Sequence, residues 1–84
     1  MTRERISELC VASLAKVLRI PQNTVAADAK FSRLGLDSAM LVYVMMELEE
    51  TLGFELSPDD FYDYPTVNDL SGHLANRQAK RTAA

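Results

Sequence analysis

The chain has 84 residues, enough for a single domain that buries about two-thirds of the surface its unfolded form exposes, so a deep enclosed active site is not expected. Apolar residues make up 48% and charged residues 25%, an ordinary globular balance, and no apolar run approaches the ~20 residues of a bilayer span or forms a signal-peptide core, so a cytoplasmic protein with no membrane partner is expected. The net charge of -3 hides an asymmetry: Lys and Arg are absent between Arg33 and Arg77, where nine of the twelve acids lie, and such a surface repels phosphate backbones, which argues against nucleic acid.

Helix one is expected from Thr2 to about Arg19, with Thr2 as N-cap and Ile6, Leu9, Cys10, Leu14, Val17 and Leu18 on one face. Pro21 stops it, because proline disfavours helical geometry in Ile20 and has no N–H to donate. Cys10, the single cysteine, cannot form an internal disulfide and reads as a small buried apolar residue rather than a redox centre. Residues 21–36 show neither helical nor strand period; a loop this long is expected to be held down by its own apolar side chains, chiefly Phe31 and Leu34, with Gly35 supplying backbone freedom.

Asp37 and Ser38 are both good N-cap residues, and Ser38–Leu52 is strongly helical in composition before Gly53 ends it. At about 100° per residue, Leu41, Val44, Met45, Leu48 and Leu52 share the core stripe of this second helix. Ala39, Val42 and Met46 fall on an adjacent face edged by Glu49 and Glu50. That strip is either a docking surface for a basic partner or packing beneath the long loop, and its acids are either recognition groups or a solvated face.

A short third helix is expected after Ser57 and Pro58, with Asp59 and Asp60 in its first turn. Thr66 and Asp69 are spaced like a capping box, and a last helix over 67–76 buries Val67, Leu70 and Leu74, leaving 77–84 as a frayed tail around an ordered core of 2–76. The expected core includes Ile6, Leu14, Phe31, Val44, Leu48, Leu56, Phe61 and Leu70.

The catalytic inventory is sparse. His73, the one histidine, has no neighbour in sequence that suggests a metal site or a nucleophile pair, and reads as an exposed or satisfied rim residue. A triad of Ser38, His73 and Asp37 is disfavoured because Asp37 adjoins the serine instead of being free to orient the histidine, and the paired glycines of a nucleophile elbow are missing. What remains is Leu34-Gly35-Leu36-Asp37-Ser38, a serine at the junction of an anchored loop and a helix N-terminus. That position suits an attached phosphodiester. Taken alone, the same serine could serve only as a cap.

The serine does not stand alone. Phe31 followed by Leu34-Gly35-Leu36-Asp37-Ser38, then Leu48-Glu49-Glu50-Thr51-Leu52-Gly53, Ser57-Pro58-Asp59-Asp60-Phe61, Pro65-Thr66-Val67 and Asp69-Leu70, resemble in order and spacing the acyl carrier and peptidyl carrier protein family over nearly the whole chain. The resemblance implies an all-α four-helix bundle with a short third helix and a long loop between helices one and two. It implies a non-catalytic, freestanding, monomeric carrier in which a phosphopantetheinyl transferase moves 4'-phosphopantetheine from coenzyme A to Ser38, beside Asp37. The arm would hold acyl, polyketide or aminoacyl cargo as a thioester. Leu36, Ala39, Val42, Tyr43, Met46, Glu49 and Glu50 would form the partner-binding surface. The implied partners are an acyltransferase or adenylating enzyme and a ketosynthase or other synthase component. Fatty-acid carriers usually follow the serine with leucine and place an acid five residues after it. Ala39 and Tyr43 stand there instead, which looks more like a polyketide or mixed polyketide-peptide pathway, while discrete aminoacyl carriers often share the aspartate form. An unmodified docking domain and a small hydrolase are the readings from other classes.

Overall fold

A computed structural model describes residues 1–83. The described elements are four helices, α1 (Arg3–Leu18), α2 (Ser38–Leu52), α3 (Pro58–Asp63) and α4 (Val67–Ala83), with short 3-10 turns at Gln22–Thr24 and Phe31–Arg33 in the long α1–α2 loop.

Local chemistry sets the helix ends. The Thr2 hydroxyl accepts from Arg5 N, and α1 closes at Arg19 in the left-handed conformation (φ 57°), ahead of Pro21. A side chain larger than glycine is strained there by about 1 kcal/mol. Gly53 closes α2 at φ 82°, where glycine carries no such cost. The Asp60 carboxylate reaches back to Ser57 N at 2.9 Å, fixing the start of α3, and Thr66 Oγ1 accepts from Asp69 N at the start of α4.

The bundle centres on α1, which packs against α4 and α2. Ile6, Cys10 and Leu14 from α1 meet Val44, Leu48 and Leu52 from α2, Phe61 from α3, and Val67, Leu70 and Leu74 from α4, all buried. Ile6, Leu14, Phe31, Val44, Leu48, Leu56, Phe61 and Leu70, expected in the core, are all buried, and Val25 joins from the loop. Leu41 and Met45, placed on the core stripe, are only half-buried. Cys10 is 1% exposed, and burial pushes its thiol pKa up to about 11, with the Ser71 hydroxyl acting weakly in the opposite direction.

The end of α4 corrects the expected tail. The helix does not stop near Asn76 but runs to Ala83; Ala84 lies outside the described residues. Arg77 donates to Glu55 O at 3.0 Å and lies 4.5 Å over the Phe54 ring, while Arg81 donates to Gly53 O and stacks over the same ring at 5.9 Å. These two cations, one turn apart, clamp the α2–α3 link, and Arg81, in the last turn, also complements the negative end of the helix dipole.

Candidate functional site

The site begins with the loop that delivers Ser38. Phe31 N donates to Pro65 O at 2.8 Å, Lys30 bridges to Thr66, and Asn68 N donates to Ala27 O at 2.9 Å, so the loop is pinned to the α3–α4 junction at several points. The Phe31 ring, 6% exposed, meets Phe61 with centroids 5.2 Å apart. Leu34 and Leu36 pack partly buried against the core. Gly35 adopts φ 80° with open space where a Cβ would stand, so it is needed for the turn and not for close approach.

Asp37 is the N-cap of α2: its Oδ1 accepts from Met40 N at 2.8 Å and its backbone carbonyl from Leu41 N at 3.0 Å. Ser38 is therefore the first helical residue and not the cap. It is exposed, and its hydroxyl has no hydrogen-bond partner among the described residues. A nucleophilic oxygen stands at the positive end of a 15-residue helix with its local capping duty taken by its neighbour.

Ser38 lies on the rim of a cleft of about 660 Å³ between the loop, α2 and α3. Phe31, Leu36, Leu41, Phe61 and Pro65 make its walls, with Tyr62, 74% exposed, and Lys30 at the margin. His73 is not part of it. Its Nε2 lies 3.3 Å from Asp60, and its ring stacks on Tyr64 at 3.9 Å, which makes it a rim residue tying α4 to α3. The triad with Asp37 is thereby ruled out, since Asp37 is engaged at the cap and His73 with Asp60.

The outward face of α2 carries Ala39, Val42 (49% exposed), Tyr43 (39%) and Met46 (60%), so these side chains do not pack under the loop. Its acids divide. Glu50 is exposed, whereas Glu49 is half-buried and accepts from Leu56 N at 2.8 Å, holding the α2–α3 link. Glu47 turns toward α1, accepting from the Ser13 hydroxyl at 2.8 Å and pairing with Lys16 at 3.3 Å. Sequence reasoning placed Glu49 on the docking strip without its structural bond, and it did not foresee Lys30 and Tyr62 at the cleft; both depend on contacts between distant segments.

Residues 11–74 match the model of the phosphopantetheine attachment site family, and the chain belongs to that family. The matched region is a carrier domain, of the kind that holds intermediates on covalently bound 4'-phosphopantetheine. A region covering 79% of the chain is 38% identical to one of the chains of the phenolphthiocerol/phthiocerol polyketide synthase of Mycobacterium tuberculosis, of which it spans only 4%. Acyl carrier protein 1, chloroplastic, of Hordeum vulgare is 32% identical over 96% of this chain, which spans 54% of that protein. Among solved structures, a free-standing peptidyl carrier protein from an uncharacterized Acinetobacter baumannii secondary metabolic pathway superposes with TM-score 0.85 at 33% identity, covering 90% of this chain and 95% of that one. The HMG-ACPI domain of the CurA module from Lyngbya majuscula gives 0.84 at 31% identity, covering 96% and 82%. The all-α acyl carrier architecture follows from both likenesses. Among the described residues no helix is long and apolar enough to cross a membrane.

The residues present fit the prosthetic group. Ser38 offers a free hydroxyl, the N-terminus of α2 offers favourable electrostatics for a phosphodiester, and the adjoining cleft has apolar walls along which a chain could lie.

Proposed function

We propose that Ser38 is the attachment residue and that the chain presents acyl-type cargo, foremost a polyketide intermediate, to successive enzymes of a biosynthetic pathway. The observation that carries this reading is the division of labour at the head of α2, where Asp37 caps the helix and leaves the Ser38 hydroxyl exposed and unbonded. When bound, 4'-phosphopantetheine supplies a thiol that holds cargo as a thioester.

Every other part of the task falls to the chain itself. The pinned loop and Asp37 fix the direction in which Ser38 points, so a transferase meets a rigid target. The α2 N-terminus stabilises the negative charge placed on Ser38. The cleft beside it gives apolar cargo a partial refuge from water. The exposed strip of Ala39, Val42, Tyr43 and Met46, with Glu50 at its acidic end, offers partners a surface suited to brief docking. A phosphopantetheinyl transferase, an acyltransferase and a ketosynthase or other synthase component are the partners this reading requires.

An aminoacyl cargo loaded by an adenylating enzyme is the second reading, favoured by the close match in length and fold to the peptidyl carrier described above. The intact mass of the protein purified from its native host separates the two. The arm plus an acyl or polyketide increment supports the first reading, and the arm plus an amino-acid increment supports the second. Peptide mapping is expected to place the increment on Ser38; an increment on any other residue contradicts the assignment.

A further inference from the structure

The two ends of the outward α2 face are flanked by hollows that differ in the charges left free at their rims. At the C-terminal end, Met46, Phe54 and Gly53 floor a shallow hollow of about 430 Å³, where Glu49 is bonded to Leu56 N, Arg77 and Arg81 lie over the Phe54 ring, and Glu50 and Glu55 have carboxylates without a partner among the described residues. At the Ser38 end, on the side facing α1, Ala39, Met40 and Val17 floor another of about 330 Å³ bordered by Lys16, Arg19 and Tyr43. Arg19 is exposed and has no ion pair among the described residues. Its backbone is held in the left-handed turn that ends α1, beside the N-terminal half of α2. The Lys16 ammonium lies 5.6 Å from the Tyr43 ring centre and 3.3 Å from Glu47; Tyr43 first and Glu47 second raise its pKa, so it stays charged.

An acid-only surface would call for a partner whose docking face is uniformly basic. Such a face would meet the free charge of Arg19 at the end nearest Ser38, where the reacting groups must be brought closest. Like charges juxtaposed at an interface lower the association rate and select against the wrong partner.

We propose that the hollow between α1 and α2, bordered by Arg19, Lys16 and Tyr43, receives a carboxylate side chain of the enzyme that docks on α2. That enzyme then carries both signs on its docking face: an acid opposite Arg19, a base opposite Glu50 and Glu55, and an apolar ridge between them over Val42 and Met46. The pairing fixes the direction in which α2 is read, with Ser38 toward the partner's acidic end. The inference rests on the carrier reading above and deepens it.

The test uses the phosphopantetheinyl transferase of the native host as the probe, with arm transfer followed by intact mass at low ionic strength. Arg19→Glu is expected to lower kcat/KM about fivefold and Glu50→Lys by a similar factor, both effects shrinking as salt is raised. Arg5→Glu, about 21 Å away at the other end of α1 and equal to Arg19→Glu in net charge, is expected to leave the rate unchanged. Arg19→Gly relieves the left-handed strain, so it is expected to slow transfer about twofold without lowering the melting temperature, which separates docking from folding. An Arg19→Glu protein modified as fast as or faster than wild type overturns the inference, as does equal slowing by Arg5→Glu. A wild-type chain that the transferase never modifies overturns the carrier reading instead, so the two failures are distinguishable.

Discussion

The inward and outward faces of α2 follow opposite rules within one helix. Inward, Val44, Leu48 and Leu52 are nearly inaccessible, and Glu47 and Glu49 at the edges bend toward Ser13, Lys16 and Leu56 N, spending their charge on the fold. Outward, Val42, Tyr43 and Met46 remain exposed although they are as apolar as core residues, and Glu50 has no partner among the described residues. A small bundle gains nothing in stability from exposing such side chains. The inward face holds the helix that carries Ser38 in place, and the outward exposure supports the proposal that partners dock there.

Substitutions on the two faces break or sharpen this contrast. Leu48→Ala, which empties space against α1, is expected to cost about 2–5 kcal/mol in urea unfolding and to leave the bundle largely unfolded at 37 °C. The buried thiol behind the same core gives the next effect. The folded-state pKa of Cys10 is raised from 9.0 to about 11, so the neutral thiol is favoured in the native state. Its contribution is fully present below about pH 9 and is lost as pH rises from 9 to 11, a fall of about 2–3 kcal/mol that Cys10→Ala should abolish in alkaline melts.

Smaller effects fall at the edge and the outward face. Glu49→Gln weakens the bond to Leu56 N and is expected to cost about 1 kcal/mol, whereas Glu50→Gln changes thermal stability by less than about 0.5 kcal/mol. Equal costs would remove the distinction between the two acids. Met46→Glu is expected to leave the helical circular dichroism and the melting temperature nearly unchanged while slowing arm or cargo transfer.

Local signals in the chain were enough to locate most of the fold. Thr2, Asp37, Ser57 with Pro58, and Gly53 each act within one helical turn, so their capping roles could be read directly, and the periodicity of α1 and α2 exposed the core. The order of motifs around Ser38 was equally legible. What escaped were pairings between segments far apart in the chain. Residues 77–83 hold no apolar stripe, so nothing local revealed that Arg77 and Arg81 clamp Phe54 and the carbonyls of Glu55 and Gly53. The inward turn of Glu47 and Glu49, the stack of His73 on Tyr64 and the place of Arg19 beside α2 likewise depend on how the helices assemble.

The most direct test of the central claim is the intact mass of the purified chain after incubation with coenzyme A and a promiscuous phosphopantetheinyl transferase. Wild type is expected to gain a single phosphopantetheine and Ser38→Ala none, with both proteins showing the same helical circular dichroism. A folded wild-type chain that stays unmodified, or a Ser38→Ala chain that still takes up the group, contradicts the account.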